Sequence, residues 1–451
     1  MYPVLPRDFV LGASTSAYQI EGAATDDGRG PSVWDTYSAE PGRILDASTG
    51  ARACDHYHRY AEDIGLMEQL GIGGYRFSIA WPRIQPTGTG PVNGPGLDFY
   101  DRLVDGLLAA GIAPMATLYH WDLPQALQDE GGWASRTTAD RFEDYTRLVA
   151  DRLADRVRYW CPVNEPSVVT NLGHGLGNHA PGQTGLRHSM QVAHHLLLAH
   201  GRAVRALRDA GAASVGVANN HSPVWVAGDS EQDRAGAEFY DVVWNRLFAD
   251  PILLGTYPDA VAEMLPIEDG DLELISSPID FYGLNYYAPA LVGGPGRQDG
   301  SAGVGVDQQV LAGLPYTQLD IQDHPLTDFG WPVVPDGLRE QLAILKQRYP
   351  ELPPVHITEN GCAYSIGPDE HGVVDDQARI DYLDSHLRAV TQAVDEGVDV
   401  QGYWTWSLMD NWEWSVGYTQ RFGLVHIDYD TQVRTPKRSF GWYAGLVAAN
   451  S

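Results

Sequence analysis

Residues 159–166 read Tyr159-Trp160-Cys161-Pro162-Val163-Asn164-Glu165-Pro166. A short apolar run ends in a carboxylate, and Pro166 then stops the strand because proline has no backbone N–H to donate. The same design recurs far along the chain in Ile357-Thr358-Glu359-Asn360-Gly361. The pattern predicts two strands that each present a glutamate at their carboxyl end.

Similar apolar runs alternate with helical runs along the whole chain. Strands are predicted at residues 9–13, 74–79, 113–119, 159–163, 214–219, 281–285, 355–359 and 400–404. Helical spacing of apolar residues predicts helices at residues 58–70, 97–110, 141–153, 190–209, 233–248, 336–348, 377–396 and 439–449. Eight alternating units predict an α/β fold whose parallel sheet closes into a (β/α)₈ TIM barrel. An open, doubly wound sheet is the main alternative, but no Gly-rich phosphate loop follows the first strand.

The chain is longer than the barrel requires. It has 451 residues, whereas a (β/α)₈ barrel needs about 250. No linker rich in Ser, Gly or Pro divides it, so residues 1–451 are predicted to form a single barrel catalytic domain. The surplus falls mainly after the strands, at residues 26–55, 121–137, 166–189, 286–331, 361–375 and 405–434. Such loops rim the C-terminal face, where barrel enzymes carry their chemistry.

Charge and cysteine content restrict the partners and the compartment. Lys and Arg total 30 against 59 Asp and Glu, a formal net charge of −29, which disfavours nucleic acid and anionic membranes. Three cysteines without paired spacing fit a reducing compartment. The N-terminus lacks a signal-peptide pattern, and no run approaches the roughly 18 apolar residues of a membrane span. We expect a soluble, cytoplasmic protein with no membrane or nucleic-acid partner; the oligomeric state stays open.

Polar and aromatic residues gather at the predicted strand ends. In strand order they are Gln19, Arg76, His120-Trp121, Asn164-Glu165, Asn219-Asn220, Asn285-Tyr286-Tyr287, Glu359-Asn360 and the run from Trp404 to Trp414. Amides and carboxylates bind hydroxyl groups in pairs, and indole faces stack on the C–H face of a pyranose. This inventory indicates a sugar site and includes nothing suited to a phosphate or nucleotide.

Two carboxylates are what glycoside cleavage requires. One acid protonates the leaving oxygen, and the second carboxylate acts at the anomeric carbon. A nearby cation such as Arg76 would keep the nucleophile ionised, and the nucleophile's charge would raise the pKa of the acid. A single strand-end glutamate more often caps a helix or pairs with an arginine, but two, each beside an asparagine, favour catalysis. Trp404 and Trp412 fit better as core, and no histidine has the spacing of a metal ligand to His120.

Three motifs resemble those of one family. Phe9-Val10-Leu11-Gly12-Ala13-Ser14-Thr15-Ser16-Ala17-Tyr18-Gln19-Ile20-Glu21-Gly22-Ala23 is similar to the N-terminal signature of glycoside hydrolase family 1. Asn164-Glu165-Pro166 resembles its acid/base motif and residues 357–361 its nucleophile motif. The resemblance extends from Phe9 to Tyr443. It implies a retaining β-glycosidase without cofactor or metal, with Glu165 as acid/base and Glu359 as nucleophile.

The resemblance also implies roles around the sugar. Gln19, His120, Asn164 and Glu413 would bind hydroxyl groups in the cleavage subsite. Trp406 would be the stacking platform, with Trp414 hydrogen-bonding and Trp121 beside it. The remaining implied positions are Arg76 and Tyr287 holding Glu359, Asn285 near both glutamates, Trp331 as the aglycone-side platform and His179 in an entrance loop.

Further positions narrow the expected substrate. Glu413-Trp414 stands where phospho-sugar members of the family carry a phosphate loop, so an unphosphorylated sugar is expected. Glu165 stands where plant thioglucosidases have Gln, which favours O-glycosides. Pro162 departs from the usual Thr. The expected activity is β-glucosidase cleavage of non-reducing-end β-D-glucosyl residues from cello-oligosaccharides, as in cellulose degradation, and from aryl or alkyl glucosides. The alternatives are β-galactosidase, β-fucosidase or transglycosylation activity, and a sugar-binding protein without turnover.

Overall fold

The computed structural model describes residues 2–297 and 308–451 and contains a closed barrel of eight parallel strands. The strands, β1 to β8, are Val10–Ser14, Gly74–Ser78, Ala113–Tyr119, Tyr159–Val163, Ser214–Asn220, Phe281–Asn285, Val355–Asn360 and Val400–Trp406. Each pairs in parallel with the next, and β8 closes on β1 in the register Val10↔Gly402 to Ser14↔Trp406. The prediction of a (β/α)₈ barrel is confirmed, and the open-sheet alternative is wrong.

Eight principal helices surround the strands. They are α1 His56–Leu70, α2 Gly94–Ala109, α3 Thr137–Leu153, α4 Leu186–Asp209, α5 Glu231–Asp241, α6 Pro335–Arg348, α7 Gln377–Asp395 and α8 Arg438–Asn450. Helix α5 does not end where the sequence predicts. It passes through a π-helical turn, Val242–Arg246, into a further helix, Leu247–Leu253.

The long connections carry their own structure. Short helices are Ala17–Ile20, Val33–Ala39, Trp81–Ile84, Gln125–Asp129, Pro166–Val168, Asp259–Ala262, Asp271–Ile275 and Gln308–Ala312, with 3₁₀ turns at Asp26–Gly28, Gly132–Ala134 and Trp414–Thr419 and a π turn at Val169–Gly173. Strands Val224–Val226, Ala290–Gly293 and Thr317–Leu319 form one small sheet, and Val425–Ile427 pairs with Arg434–Pro436. The predicted loop 286–331 therefore contains ordered elements, and its residues 298–307 lie outside the described part.

One end of the barrel interior is filled by apolar side chains. Trp404 is fully buried against Met115, Tyr159 and Phe281. Gly12 and Gly74 leave it room, since a Cβ at either would lie 2.4 or 2.2 Å from its ring. Trp404 is thus a core residue, as expected, and the polar side chains are left to the carboxyl ends of the strands.

Across residues 2–297 and 308–451, no helix combines the length and the apolar character needed to cross a membrane. The single catalytic domain over residues 1–451 stays a prediction.

Candidate active site

Strands β4 and β7 deliver the two glutamates. Glu165 follows β4 in a left-handed backbone conformation (φ 45°), and its N–H donates to the Ala218 carbonyl at 2.7 Å. Pro162 does not displace this end of the strand, because the Asn164 N–H still donates to the Tyr119 carbonyl at 2.9 Å. Both carboxyl groups are nearly removed from solvent, with Glu165 4% and Glu359 3% exposed.

Glu359 is held from both sides. Arg76, fully buried on β2, contacts Oε1 through Nη1 at 2.5 Å, and the Tyr287 hydroxyl donates to Oε2 at 2.8 Å. Arg76 is itself fixed by Nε, which donates to Thr117 Oγ1 at 3.1 Å. Burial raises the pKa of Glu359, and the contacts with Arg76 and Tyr287 oppose that rise. The charge of Arg76 thus stabilises the ionised form of Glu359.

Glu165 has a different environment. Asn285 Nδ2 donates to its Oε1 at 2.7 Å, and Asn220 Nδ2 donates to the same oxygen at 3.0 Å. Burial, and then the negative charge of Glu359, raise the pKa of Glu165 to about 8. The raised pKa favours the protonated acid at neutral pH. Because Oε1 accepts two N–H groups, the proton belongs on Oε2.

A polar frame connects the two glutamates. Asn164 Oδ1 accepts from Arg76 Nη2 at 2.6 Å and from Asn285 Nδ2 at 3.1 Å. Asn285 Oδ1 in turn accepts from the hydroxyl of Thr358, the residue before Glu359, at 2.6 Å. These hydrogen bonds connect strands β2, β4, β6 and β7 at their carboxyl ends.

Hydrogen-bonding groups form one wall of the site. Gln19 Nε2 donates to Glu413 Oε2 at 3.2 Å, and Asn164 Nδ2 lies 3.1 Å from His120 Nε2. Burial, and then the charge of Glu359, raise the pKa of Glu413 to about 8. Burial and the nearby Arg76 hold the pKa of His120 well below its usual range, so its ring is neutral. His120 Nδ1 has no hydrogen-bond partner among the described residues.

Aromatic rings line the same space. The His120 ring is stacked on Trp406 and on Trp414, each with centroids 6.0 Å apart and interplanar angles of 21° and 17°. Trp121 lies 4.5 Å from Trp414, and its Nε1 donates to the Asn164 carbonyl at 3.0 Å. These flat, apolar faces beside hydrogen-bonding groups suit a pyranose ring.

The mouth of the site has an aromatic side and a histidine side. The half-buried Trp331 packs on three aromatic rings. The distances between ring centroids are 4.3 Å to Phe329, 6.0 Å to Phe422 and 5.1 Å to Tyr287. On the other side, His179 lies 6.0 Å from Trp121, and its Nδ1 is 3.2 Å from the Ser415 hydroxyl. Direct contacts thus join Arg76, Tyr287 and Asn285 to the two glutamates, and Trp331 to Tyr287.

The sequence reasoning missed residues that contact the core of the site. Asn220 donates to Glu165 but was noted only as a strand end, and Thr358 was noted only as part of a motif. Phe422 and Phe329, which complete the aromatic side at Trp331, carry no local signal in the sequence. The strand-end amide at Asn220 was the one usable clue.

A closed (β/α)₈ barrel that buries two carboxyl groups at the carboxyl ends of its strands, beside amide, imidazole and indole groups, is typical of the class of barrel glycoside hydrolases. The model of glycosyl hydrolase family 1 matches residues 1–451, and the chain belongs to that family. It is a glycoside hydrolase, and family 1 is a group of retaining glycosidases.

Relatives agree over the full length. The chain is 43% identical to "Beta-glucosidase A" of Acetivibrio thermocellus, with 99% of this chain and 98% of that protein covered. It is 43% identical to the "Bifunctional beta-D-glucosidase/beta-D-fucosidase" of Bifidobacterium breve, with 100% of both covered. The solved structure of the psychrophilic β-glucosidase BglU from Micrococcus antarcticus is similar with a TM-score of 0.94 and 43% identity, covering 99% of this chain and 98% of that one.

Proposed function

We propose that this protein is a β-glucosidase in which Glu359 is the nucleophile and Glu165 the acid/base of a two-step, retaining hydrolysis. The observation that carries the assignment is the contrast between the two carboxyl groups. Glu359 contacts the cation Arg76, whereas Glu165 accepts from the neutral amides of Asn285 and Asn220. The first arrangement favours a carboxylate at neutral pH, and the second allows a protonated acid.

In the first step, Glu359 attacks the anomeric carbon while Glu165 donates its Oε2 proton to the leaving glycosidic oxygen. A glucosyl ester forms on Glu359, and the aglycone leaves as an alcohol. Arg76 and Tyr287 hold the attacking carboxylate in place, so no reorientation is needed during the reaction.

In the second step, Glu165 acts as a base. The ester on Glu359 carries no charge, so the charge that raised the pKa of Glu165 is gone and its carboxylate form is favoured. Glu165 then removes a proton from water as the water attacks the anomeric carbon. Glucose leaves with its β configuration retained, and Glu359 returns to the ionised form.

The walls of the site support a neutral sugar as substrate. Glu413 and Gln19 hydrogen-bond to each other beside the aromatic platform, and neither side chain offers a phosphate group a cationic partner. We propose the following: glucosyl hydroxyl groups bind Gln19, His120, Asn164 and Glu413, the ring stacks on Trp406 beside Trp121 and Trp414, and the aglycone lies at Trp331. Aryl or alkyl β-glucosides and cello-oligosaccharides are the proposed substrates, with β-fucosidase side activity as the second candidate because of the bifunctional relative.

Three measurements test the proposal. Proton NMR of the hydrolysis of an aryl β-glucoside should show β-glucose as the first-formed anomer, and α-glucose appearing first would overturn retention. Glu359→Ala should abolish turnover, whereas added azide should yield an α-glucosyl azide by taking the vacated position. Near-normal hydrolysis by this variant would remove Glu359 from the nucleophile role. Values of kcat/KM for nitrophenyl β-glucoside, β-galactoside and β-fucoside then rank the activities.

A further inference from the structure

Three potential metal ligands converge at the base of a loop beside the site. His174 Nδ1 lies 3.0 Å from Gln183 Oε1 and 3.0 Å from His188 Nε2, and His188 Nε2 lies 2.6 Å from Gln183 Oε1. His174 ends the π turn Val169–Gly173, and His188 lies in the first turn of α4. The three side-chain atoms therefore form a closed triangle.

No placement of hydrogen atoms turns all three of these contacts into hydrogen bonds. An amide oxygen only accepts, an amide nitrogen only donates, and each imidazole nitrogen does one or the other. Each of the three atoms is either a donor or an acceptor, so two of them must be of the same kind. At least one of the three contacts therefore joins two donors or two acceptors. This holds for either orientation of the Gln183 amide and for any tautomer of His174 and His188. A cation that accepts all three lone pairs removes the conflict.

The dimensions of the triangle fit such an ion. Sides of 3.0, 3.0 and 2.6 Å define a circle of radius about 1.7 Å, smaller than the Zn–N bond of about 2.0–2.1 Å. An ion about 1.2 Å above the plane would be at bonding distance from all three atoms.

We propose that His174, His188 and Gln183 form a binding site for a divalent first-row transition ion such as Zn²⁺, Ni²⁺ or Cu²⁺. Imidazole ligands select these ions, whereas Mg²⁺ and Ca²⁺ prefer oxygen. The net charge of −29 attracts cations to the surface, and His188 and Gln183 are half-buried, which leaves a path from solvent.

An ion bound by His174, His188 and Gln183 would stabilise the loop formed by residues 174–188 and take no part in the reaction. The proposed ion site joins the two ends of the loop formed by residues 174–188. The two sides of this loop pair in the isolated Leu176↔Thr184 bridge, and its tip carries His179. His179 packs on Trp121 and lies near Ser415 at the mouth of the active site. A bound ion ties the two ends of this loop together, so it should raise the thermal midpoint of the enzyme without taking part in catalysis.

The test uses the full-length enzyme after treatment with a chelator. Titration with Zn²⁺ followed by calorimetry should show one site per chain, and Mg²⁺ should give no signal. His188→Ala and, separately, Gln183→Leu should each weaken Zn²⁺ binding at least tenfold. His58→Ala is the matched control and should bind like the parent, because the two ring nitrogens of His58 face different carboxylates, Asp55 and Asp26.

A spectroscopic readout makes the result independent of stability. Cu²⁺ bound to the parent should show hyperfine coupling to two imidazole nitrogens in electron paramagnetic resonance, and His188→Ala should show coupling to one. Absence of Zn²⁺ binding to the folded parent up to millimolar concentration would overturn the proposal. Binding that both variants leave unchanged would overturn it equally, since the ion would then lie elsewhere.

Discussion

Asn220→Leu should raise the pKa of Glu165 and extend activity to higher pH. Asn220 Nδ2 donates to Glu165 Oε1 at 3.0 Å, and Trp244 Nε1 donates to Asn220 Oδ1 at 3.1 Å. The indole N–H fixes which end of the amide faces the carboxyl group, so the Asn220 side chain always presents a donor. A donor stabilises the ionised carboxylate and lowers its pKa. Leucine has a similar volume but no donor, so the protonated acid should persist to higher pH.

The size of the pKa shift follows from the strength of the hydrogen bond between Asn220 and Glu165. A hydrogen bond to a charged group contributes about 1.5–3 kcal/mol, and one pKa unit corresponds to about 1.36 kcal/mol. Asn220 is only half-buried, so the lower end applies and we expect a rise of about one unit. The pKa of Glu165, raised to about 8 by burial and by Glu359, sets the alkaline limb of kcat/KM because the first step needs the acid protonated. That limb should move upward by about one pH unit.

The assay is the pH profile of kcat/KM for an alkyl β-glucoside, whose poor leaving group makes proton donation necessary. Trp244→Phe keeps an aromatic ring beside Tyr240, on which the indole packs with ring centroids 5.8 Å apart, but removes the N–H. It should therefore shift the alkaline limb in the same direction by less. Asn171→Leu is the control, since Asn171 Nδ2 donates to the Val243 carbonyl and not to Glu165. An alkaline limb that stays fixed or moves to lower pH in Asn220→Leu would refute the reasoning.

Three further changes test other parts of the molecule. Arg76→Met removes the cation from Glu359, so the pKa of Glu359 should rise and the acidic limb of kcat/KM should move to higher pH by about one unit or more; an unmoved limb would mean that Glu359 does not control it. Glu413→Gln should lower kcat/KM for β-glucosides roughly 10- to 100-fold, because one of the two carboxyl oxygens is replaced by an amide nitrogen that only donates and cannot accept a hydrogen bond from a sugar hydroxyl; unchanged kinetics would place Glu413 outside the sugar site. Lys437→Met removes the 2.6 Å partner of the buried Asp410, which keeps Arg421 at 2.9 Å, so it should reduce the free energy of unfolding by about 1–3 kcal/mol. Lys346→Met, at an exposed lysine, should change it by less than about 0.5 kcal/mol in the same denaturation assay.

The strands could be predicted closely because each is a buried apolar run that ends abruptly. Three of them, 113–119, 159–163 and 281–285, have the predicted bounds. Helix α5 was placed less well. The helix begins at Glu231 because the Ser230 hydroxyl accepts from the Asp233 N–H at 3.0 Å. A Ser-x-x-Asp pattern of this kind marks the start of a helix in the sequence. Its continuation to Leu253 through the π turn depends on packing that the apolar period alone does not reveal.

Asn220 shows why part of the site could not be read from the sequence. Asn219 and Asn220 both end β5, and side chains alternate between the two faces of a strand. Asn219 donates to Tyr282, whereas Asn220 faces Glu165. Only the register, in which Asn220 pairs with Asn285, shows which amide reaches the acid. The indole of Trp244 then arrives from α5's π turn, a contact that no strand-end pattern can indicate.

Among residues 2–297 and 308–451, the proposed site buries three carboxyl groups around Arg76, and in the proposed mechanism this imbalance lets a single pocket serve both reaction steps. Arg76 contacts Glu359, while Glu165 and Glu413 accept from neutral amides instead. The charge of Glu359 contributes to raising the pKa of both other groups to about 8. Esterification of Glu359 removes that charge, so both groups become stronger acids together. The base needed for the second step therefore appears only after the first step has occurred, and reverts to an acid when glucose leaves.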